Sequence, residues 1–280
     1  MPDTGTLYVC ATPIGNLGDI TLRALETLKM VDFIAAEDTR HSKKLLDHYE
    51  IKATLISYHD HNERTRSEEL IARLKEGKNG ALISDAGMPG ISDPGYVLIN
   101  RCRQEGITID VLPGANAALT ALVLSGMPAD NFLFLGFLPA AKGDRRKILK
   151  ELTDIPYTII FYEAPHRLVH TLEDILEILG DRMTAVAREL TKIHQAVHRG
   201  TASELVQEFS SCHVKGECCL LIAPAEKLTN PGEPALWLKD LEELESQGMD
   251  SKQAMKTVAK KYGISKSVIY RARLNNHDTT

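Results

Sequence analysis

Short apolar runs alternate with segments of helical periodicity through the first 125 residues. The apolar runs at 7–11, 33–36, 54–57, 80–84 and 108–112 predict five strands. The segments between them carry apolar residues at helical spacing, as Leu22, Leu25 and Leu28 do, and predict helices. A repeated strand–helix order predicts a parallel sheet with helices on both of its faces.

The second half of the chain has a different pattern. Strands are predicted at 132–136, 157–161, 184–187, 194–198 and 216–222, with a basic segment at 140–150 and a helix at 165–179. Thr201 is predicted to cap a short helix that ends at Phe209. Because some of these strands follow one another without a helix between them, their sheet is expected to be mixed.

The composition changes after Ala223. A Pro- and Gly-rich linker covers 229–234, an acidic helix is predicted at 236–244, and 251–274 predicts two helices joined by a turn at Gly263, with Ser265 as N-cap. This pattern fits a helix-turn-helix, although a helical hairpin that only packs on the body is an open alternative. The residues that make this segment basic are Lys260, Lys261, Lys266, Arg271 and Arg273.

Three domains are therefore expected. Residues 1–126 form an α/β domain with a parallel sheet, residues 127–228 form an α/β domain with a mixed sheet, and residues 233–280 form a basic helical extension. Ser125–Asp130, which contains Gly126 and Pro128, marks the first boundary.

Composition narrows the class of protein. The chain has 280 residues, 43% of them hydrophobic and 25% charged, as in ordinary globular proteins. No apolar run approaches the ~18 residues of a membrane helix, and no signal peptide is evident, so a cytoplasmic protein is expected. A net charge of −5 argues against a surface that is basic throughout but allows local basic patches. The five cysteines show no metal-binding spacing and are interpreted as reduced, structural thiols.

The loop at 82–95, LISDAGMPGISDPG, is the most unusual stretch. It follows an apolar strand and brings together Gly87, Pro89, Gly90, Pro94 and Gly95, with Asp85 and Asp93 between them. So many Gly and Pro residues predict a tight irregular loop whose backbone groups are open to a ligand. A plain strand-to-helix connection is the alternative, but such connections are usually shorter and need fewer glycines.

Five polar segments follow the five strands of the first half: 12–19, 36–42, 58–63, 84–95 and 113–118. In a parallel sheet they meet at one edge, which predicts a ligand site there. No phosphate loop, GxGxxG, HExxH or GxSxG motif is present, so ATP hydrolysis and a dinucleotide enzyme are not indicated. His59 and His61 are interpreted as polar edge residues, and no metal site is predicted.

An ordered set of motifs resembles a known family. The set runs from Leu7 to Lys192 and comprises TPIGNLGDIT, AEDTR, DHNE, SDAGMPGISDPG, LPG, GFLP, FYEAPHR and ARELTK. This sequence resembles the ribosomal RNA small subunit methyltransferase I family within the tetrapyrrole methylase superfamily. The resemblance implies two α/β domains with S-adenosylmethionine (SAM) in the cleft between them, and a homodimer. It also implies methyl transfer to the 2′-hydroxyl of a cytidine ribose in 16S ribosomal RNA, free or within the small ribosomal subunit.

The resemblance also implies a cofactor site, with Asp85 and the backbone around Gly87 and Met88 nearest to SAM. The residues implied to bind the cofactor are Pro13, Ile14, Asp85, Ala86, Gly87, Met88, Ala115, Asn116, Tyr162 and Leu190. Met88-Pro89-Gly90 differs from the Thr-Pro-Leu of some members, which is expected to alter packing near the cofactor without removing the site.

Candidates for chemistry lie on the polar segments of the predicted edge. Asp38, His61 and Glu63 are candidates for the general base of the ribose hydroxyl. Arg40, Asn62 and Asn16 are candidates for holding ribose or phosphate. Each of these could equally cap a helix or form an ion pair.

Two basic segments are expected to hold RNA phosphates. They are Arg145-Arg146-Lys147 and the segment from Lys256 to Arg273.

Two other functions stay open from the sequence. One is a methyltransferase of the same superfamily that acts on a small tetrapyrrole. The other is a non-catalytic SAM-binding regulator that contacts DNA through its helix-turn-helix.

Overall fold

The computed structural model describes residues 4–211, 214–225, 234–262, 264 and 266–277. The expectations for Cys212, for the linker at 229–233, for the turn at Gly263 and for the cap at Ser265 lie outside the described residues. The chain divides into two compact units: Met1–Thr153 with Tyr157–Ala223, and Asp154–Pro156 with Pro224–Thr280.

A five-stranded parallel sheet forms the first half of the larger unit, as the sequence predicts. Its strands are β1 (Thr6–Cys10), β2 (Phe33–Ala36), β3 (Leu55–Ser57), β4 (Gly80–Ile83) and β5 (Thr108–Leu112), in the order β3-β2-β4-β1-β5. Its helices are α1 (Leu22–Met30), α2 (Thr39–His48), α3 (Glu63–Lys75), α4 (Tyr96–Gln104) and α5 (Ala117–Ser125).

Both faces of the inner strands β2 and β4 are buried, which is why these strands read as continuous apolar runs. Alternate side chains point to opposite faces, so that Phe33 and Ala35 of β2 pack with α3 and α4 residues such as Leu70 and Leu98. Ile34 and Ala36 pack on the other face, in a cluster with the α1 residue Leu28.

A second five-stranded sheet follows, and it is mixed, as predicted. Its strands are β6 (Phe132–Phe137), β7 (Thr158–Glu163), β8 (Met183–Arg188), β9 (Ala196–Thr201) and β10 (Cys218–Ile222), in the order β6-β7-β10-β8-β9. β6 and β7 are parallel and the other neighbours are antiparallel. The helices of this half are α6 (Lys142–Glu151), α7 (Leu168–Leu179) and α8 (Ala202–Ser210).

Helix α5 joins the two halves. Ala118, Ala121 and Leu122 of α5 pack on Ile160 and Leu221 of the second sheet. Both sheets thus lie in the same compact unit, and the domain boundary at 126 stays a prediction.

One strand lies later than the sequence predicts. β9 begins at Ala196 instead of residue 194 because a turn continues up to Gln195. The Gln195 amide N–H donates to the Lys192 carbonyl at 3.1 Å, and its side chain accepts from the Thr191 N–H at 2.7 Å. The cap at Thr201 is confirmed, since its side chain accepts from the Glu204 N–H in a capping box.

The expectation that Arg145 holds phosphate is wrong, because this side chain is buried in an ion pair. Arg145 is 4% exposed, and its Nη2 lies 2.6 Å from Oδ2 of Asp174, which is also buried. Arg146 lies 2.9 Å from the other oxygen of Asp174 and also pairs with Glu177. Arg145 and Arg146 therefore hold α6 against α7.

In its described residues the smaller unit contains three helices, α9 (Pro234–Ser246), α10 (Ser251–Tyr262) and α11 (Lys266–His277). Its core contains Trp237, Leu241, Ala254, Val258 and Ile269. Two of its basic residues form ion pairs within the unit: Lys261 binds Asp240, and Arg273 lies 2.9 Å from Glu245. The side chain of Arg271 lies outside the described part of the chain. Across the described residues, no helix has the length and apolar character that spanning a membrane requires.

Candidate functional site

The loops after β1 and β4 are bound to each other through their backbones. The Thr12 N–H donates to the Gly87 carbonyl at 2.8 Å, and the Gly87 N–H donates to the Thr12 carbonyl at 3.0 Å. The Thr12 hydroxyl also donates to the Ser84 carbonyl at 3.0 Å. Gly87 has φ of +84°, in the left-handed region that glycine adopts without strain. The loop at 82–95 is therefore held against the end of β1.

A cavity of ≈ 340 Å³ opens beside this loop. Residues from both halves of the larger unit line it: Ile14, Gly87, Met88 and Asn116 from the first, and Phe137, Tyr162, Leu190 and Cys219 from the second. Cavities of roughly 300–1,000 Å³ with mainly apolar walls and a few polar groups are typical sites for small ligands.

Most of the predicted cofactor residues come together here. Those that line the cavity are Ile14, Ala86, Gly87, Met88, Asn116, Tyr162 and Leu190. Pro13, Asp85 and Ala115 lie next to lining residues but not in the wall itself. Pro13 is buried, and the Asp85 carboxylate accepts the Asp38 N–H at 3.1 Å, so it faces the end of β2.

Asp38 and Arg40, which follow β2, are a predicted catalytic residue and a predicted substrate-binding residue, and in the structure they bind each other. The Asp38 carboxylate accepts the Arg40 N–H at 2.8 Å as N-cap of α2, and it pairs with the Arg40 guanidinium at 3.0 Å. The hydrogen bond from the Arg40 side chain lowers the pKa of Asp38 to about 2. A carboxylate with so low a pKa is a weak general base at neutral pH.

The segment after β3 is also structured internally. Asn62 accepts the His59 N–H at 2.9 Å and donates to the Ser57 carbonyl at 3.2 Å, which fixes the loop before α3. His61 is exposed, with its ring centre 5.9 Å from that of His59, and Glu63 is the first residue of α3.

Asn16 lies at the contact between the loop after β1 and the turn after β8. Its side chain accepts the Gly18 N–H at 3.0 Å, and its backbone N–H donates to Thr191 Oγ1 at 2.9 Å. None of the six residues proposed for catalysis or substrate binding lines the described cavity: Asn16, Asp38, Arg40, His61, Asn62 and Glu63.

Asp93 lines the cavity and was not among the predicted site residues. The pKa of Asp93 is raised to about 6, first by burial and then by the nearby carboxylates of Glu37, Asp85 and Asp60, against an opposing effect of Ser84. Burial also raises the pKa of Glu37. The signal in the sequence was the second Ser-Asp pair of the loop, Ser92-Asp93, which repeats Ser84-Asp85.

Aromatic rings form part of the opposite wall. The ring of Tyr162 meets those of Phe134 and Phe137 edge to face, with centres 4.9 and 5.5 Å apart. Burial raises the pKa of Tyr162 to about 12, so its hydroxyl keeps its proton. Phe137 is 58% exposed and lies where the cavity meets solvent.

The thiols near the cavity are protonated. Burial raises the pKa of Cys218 to about 11 and that of Cys219 to about 12. Together with the buried, free Cys10 and Cys102, they fit the prediction of structural thiols. No group of three or more His, Cys, Asp or Glu side chains suited to a metal ion occurs in the described part of the chain.

Comparison with known proteins identifies relatives along the whole chain. Residues 6–206 match the family model of the Tetrapyrrole (Corrin/Porphyrin) Methylases. A protein of Halalkalibacterium halodurans named ribosomal RNA small subunit methyltransferase I is 48% identical over 274 residues, 96% of this chain and 94% of that protein. The protein of that name from Synechocystis is 47% identical over 272 residues, 96% of this chain and 98% of that protein.

Solved structures share the fold at low sequence identity. The methyltransferase CobJ matches with a TM-score of 0.61 and 20% identity, over 79% of this chain and 95% of that one. Uroporphyrin-III C-methyl transferase from Thermus thermophilus, complexed with S-adenyl homocysteine, matches with a TM-score of 0.56 and 17% identity, over 78% of this chain and 97% of that one. These likenesses establish the arrangement of two α/β halves.

Proposed function

The chain belongs to the ribosomal RNA small subunit methyltransferase I family of the tetrapyrrole methylases, and from this membership we propose its reaction. It is a SAM-dependent ribosomal RNA methyltransferase. The proposed acceptor is the 2′-hydroxyl of a cytidine ribose in 16S ribosomal RNA. The observation that carries the proposal is the cavity at 82–95, which gathers most of the residues that the family resemblance implied for the cofactor.

The walls of the cavity suit the chemical parts of SAM. Its volume of ≈ 340 Å³ lies in the range of small-ligand sites. The rings of Phe137 and Tyr162 offer apolar surface for an adenine, and the backbone near Gly87 offers polar partners. The carboxylates of Glu37 and Asp85, which lie near Asp93, make this side of the cavity negative, which favours a cation. SAM supplies a methyl group already activated on a sulfonium.

Alignment is then the main contribution of the protein. Holding two reactants in line can supply about 7–11 kcal/mol of the barrier in favourable cases. The Thr12–Gly87 backbone pair fixes one wall, and the β7 residue Tyr162 belongs to a buried strand of the other. A cleft whose walls belong to packed elements is suited to this task because it can hold the reactants in a fixed geometry.

A transfer assay tests the proposed reaction. The protein is incubated with methyl-labelled SAM and, in separate arms, with free 16S ribosomal RNA, with small subunits and with a tetrapyrrole precursor. We expect label in the RNA arms, recovered as 2′-O-methylcytidine after digestion to nucleosides. Label on the macrocycle, or on a base, would contradict the proposal. Tight SAM binding without any transfer would favour the regulator.

A lysine stripe on α10 supports an RNA substrate. Lys252, Lys256 and Lys260 follow one another at four-residue spacing, so they share one face of the helix, and all three are exposed. Among the described residues, none of these ammonium groups pairs with a carboxylate, unlike Lys261. Unpaired lysines in a row can neutralise the phosphates of a nucleic acid. We propose that this face helps to dock the RNA or the subunit.

Salt dependence of RNA binding tests the lysine stripe. The double variant Lys256→Gln/Lys260→Gln should bind 16S ribosomal RNA more weakly, and the slope of log K against log salt should fall by about 1.4–1.8. SAM affinity should not change. The matched control is Lys75→Gln/Lys78→Gln, which removes the same charge from lysines already paired with Glu105 and Glu76. Equal slopes in the two double variants would refute the role.

Removing the extension tests the wider role. Deleting 236–280 should likewise weaken RNA binding and leave SAM binding intact, and an unchanged RNA affinity would contradict the role of the extension.

We further propose a homodimer in the cytoplasm. Leu119 and Val123 lie one turn apart on α5 and are 49% and 77% exposed, so they form an apolar surface that a second copy of the chain can cover. Light scattering of the purified protein should give twice the chain mass, and Val123→Asp should shift it toward the monomer. A wild-type monomer at micromolar concentration would contradict this proposal.

A further inference from the structure

Three carboxylates line the cavity: Asp93, Glu163 and Glu217. Glu163 is buried, and its oxygens accept from Arg167 Nε at 2.8 Å and from the Thr171 hydroxyl at 2.6 Å. Glu217 is 79% exposed and pairs with Lys192 at 3.1 Å. Both of these groups are thus neutralised by a cation of the same half of the molecule.

Asp93 differs from both because no cation pairs with it in the described part of the chain. The Ser84 hydroxyl, which donates to the Ala86 carbonyl at 3.4 Å, lies near enough to lower the pKa of Asp93. The charged groups that face it from other segments are carboxylates: Glu37 after β2, Asp60 after β3 and Asp85 after β4. The phenol of Tyr162 on β7 is also close enough to be affected by its charge, and it stays neutral.

The backbone holds Asp93 in place. Ser92 has φ of +63°, a left-handed conformation that strains a residue with a side chain. On the other side Pro94 and Gly95 are buried and lead into α4. Strain of this kind persists where the surroundings dictate the conformation, and it is concentrated at functional sites.

We propose that Asp93 accepts the proton of the ribose 2′-hydroxyl during methyl transfer, an inference that rests on the proposed function. The hydroxyl oxygen forms a bond to the methyl carbon while the carbon–sulfur bond breaks. The electron pair of that bond stays on sulfur, which becomes a neutral thioether. The hydroxyl proton passes to a carboxylate oxygen of Asp93 and then to water.

Charge and position favour Asp93 over the other carboxyl groups. A base works best when its pKa is close to the working pH, and burial among carboxylates raises the pKa of Asp93 to about 6. The pKa of Asp38 is instead lowered, to about 2, so its carboxylate is a weaker base. Asp93 also lies in the wall of the cavity, where the reacting atoms have to meet, and Asp38 does not.

The first experiment compares Asp93→Asn with the wild type. We expect kcat to fall by about 10²–10⁴-fold, the contribution of a general base. The Kd for SAM, measured by calorimetry, should stay within a few-fold. The matched control is Asp110→Asn, the same change at a carboxylate of β5 that pairs with Arg23 on the surface. It should retain the wild-type rate.

The second experiment measures kcat/KM and, independently of activity, folding stability as functions of pH. The kcat/KM of the wild type should rise with pH and level off above about 6, and Asp93→Asn should lose this rise. In the protein without SAM, wild type should gain stability relative to Asp93→Asn as the pH falls through about 6, because the raised pKa lets the folded state take up a proton.

Each outcome decides the inference. A rate loss with retained SAM affinity, together with the lost acid limb, supports it. An Asp93→Asn variant that keeps its rate, or that loses SAM binding in parallel with its rate, overturns it. If that variant does not fold, a flat wild-type profile between pH 5 and 8 still overturns the inference. A wild type that transfers no methyl to RNA refutes the proposed function itself, which the variants do not affect.

Discussion

Substitution of Gly87 by alanine tests whether the loop at 82–95 is a wall of the cofactor site. An added Cβ would lie 3.5 Å from Ile14 Cγ2 and 3.8 Å from the Ala115 carbonyl oxygen, which are ordinary contacts. Steric overlap therefore contributes little. The cost comes from φ of +84°, since a left-handed conformation costs an L-residue roughly 1–2 kcal/mol.

This strain can be relieved in the free protein if φ relaxes, which breaks the two hydrogen bonds to Thr12 and moves the wall. Binding SAM then has to restore the strained conformation. A cost of about 1–2 kcal/mol corresponds to a Kd for SAM that is roughly 5–30-fold higher.

The matched control is Gly106→Ala. Gly106 has φ of +68° with nothing within 4 Å of an added Cβ, and it lies between α4 and β5, outside the lining of the cavity. Urea unfolding should show a loss of stability that is no larger in Gly87→Ala than in Gly106→Ala, because relaxation relieves the strain in the free protein, while calorimetry with SAM should separate them. If Gly87→Ala binds SAM within twofold of Gly106→Ala, the loop does not form the wall and the reasoning fails.

Further predictions concern stability. Asp174→Asn should lower the free energy of unfolding by about 3–5 kcal/mol in urea titrations because it leaves the buried Arg145 charge uncompensated. Glu177→Gln, at the exposed partner of Arg146, should leave it nearly unchanged, and equal losses would refute this account of the ion pair. Asp93→Asn should raise the stability at pH 7 by about 1–2 kcal/mol, since one pKa unit is worth 1.36 kcal/mol and partial exposure reduces the effect. That gain should vanish below about pH 4, where the unfolded carboxyl is also protonated, and a gain independent of pH would contradict the assigned cause. Thr201→Ala should cost about 1 kcal/mol through loss of the α8 cap, measured by thermal unfolding.

The sequence predicts the sheets well because burial on both faces leaves long apolar runs. Strands β1 and β4 end at Cys10 and Ile83, just before the polar residues Thr12 and Ser84. The sequence pattern therefore predicts the edge of the sheet at which the loops meet. The gathering of Ile14, Gly87 and Tyr162 around one cavity depends on contacts between distant segments. Only the family resemblance, and not the sequence pattern, predicted that these residues belong to one site.

The chemistry of single side chains could not be predicted from the sequence. Asp38 and Asp93 both follow strands in polar segments. Arg40, two residues along the chain, lowers the pKa of Asp38, whereas burial and nearby carboxylates raise the pKa of Asp93. Only the fold determines the burial and the neighbours of Asp93. Similarly, the sequence indicates that Arg145 is a surface cation, and only the fold shows that it forms a buried ion pair with Asp174.

A crystal structure of the protein with S-adenosylhomocysteine tests the central claim most directly. We predict that the ligand lies in the cavity between Gly87 and Tyr162, with its sulfur on the side of Asp93. A ligand bound instead beside Asp38 and Arg40, away from the loop at 82–95, would contradict the account.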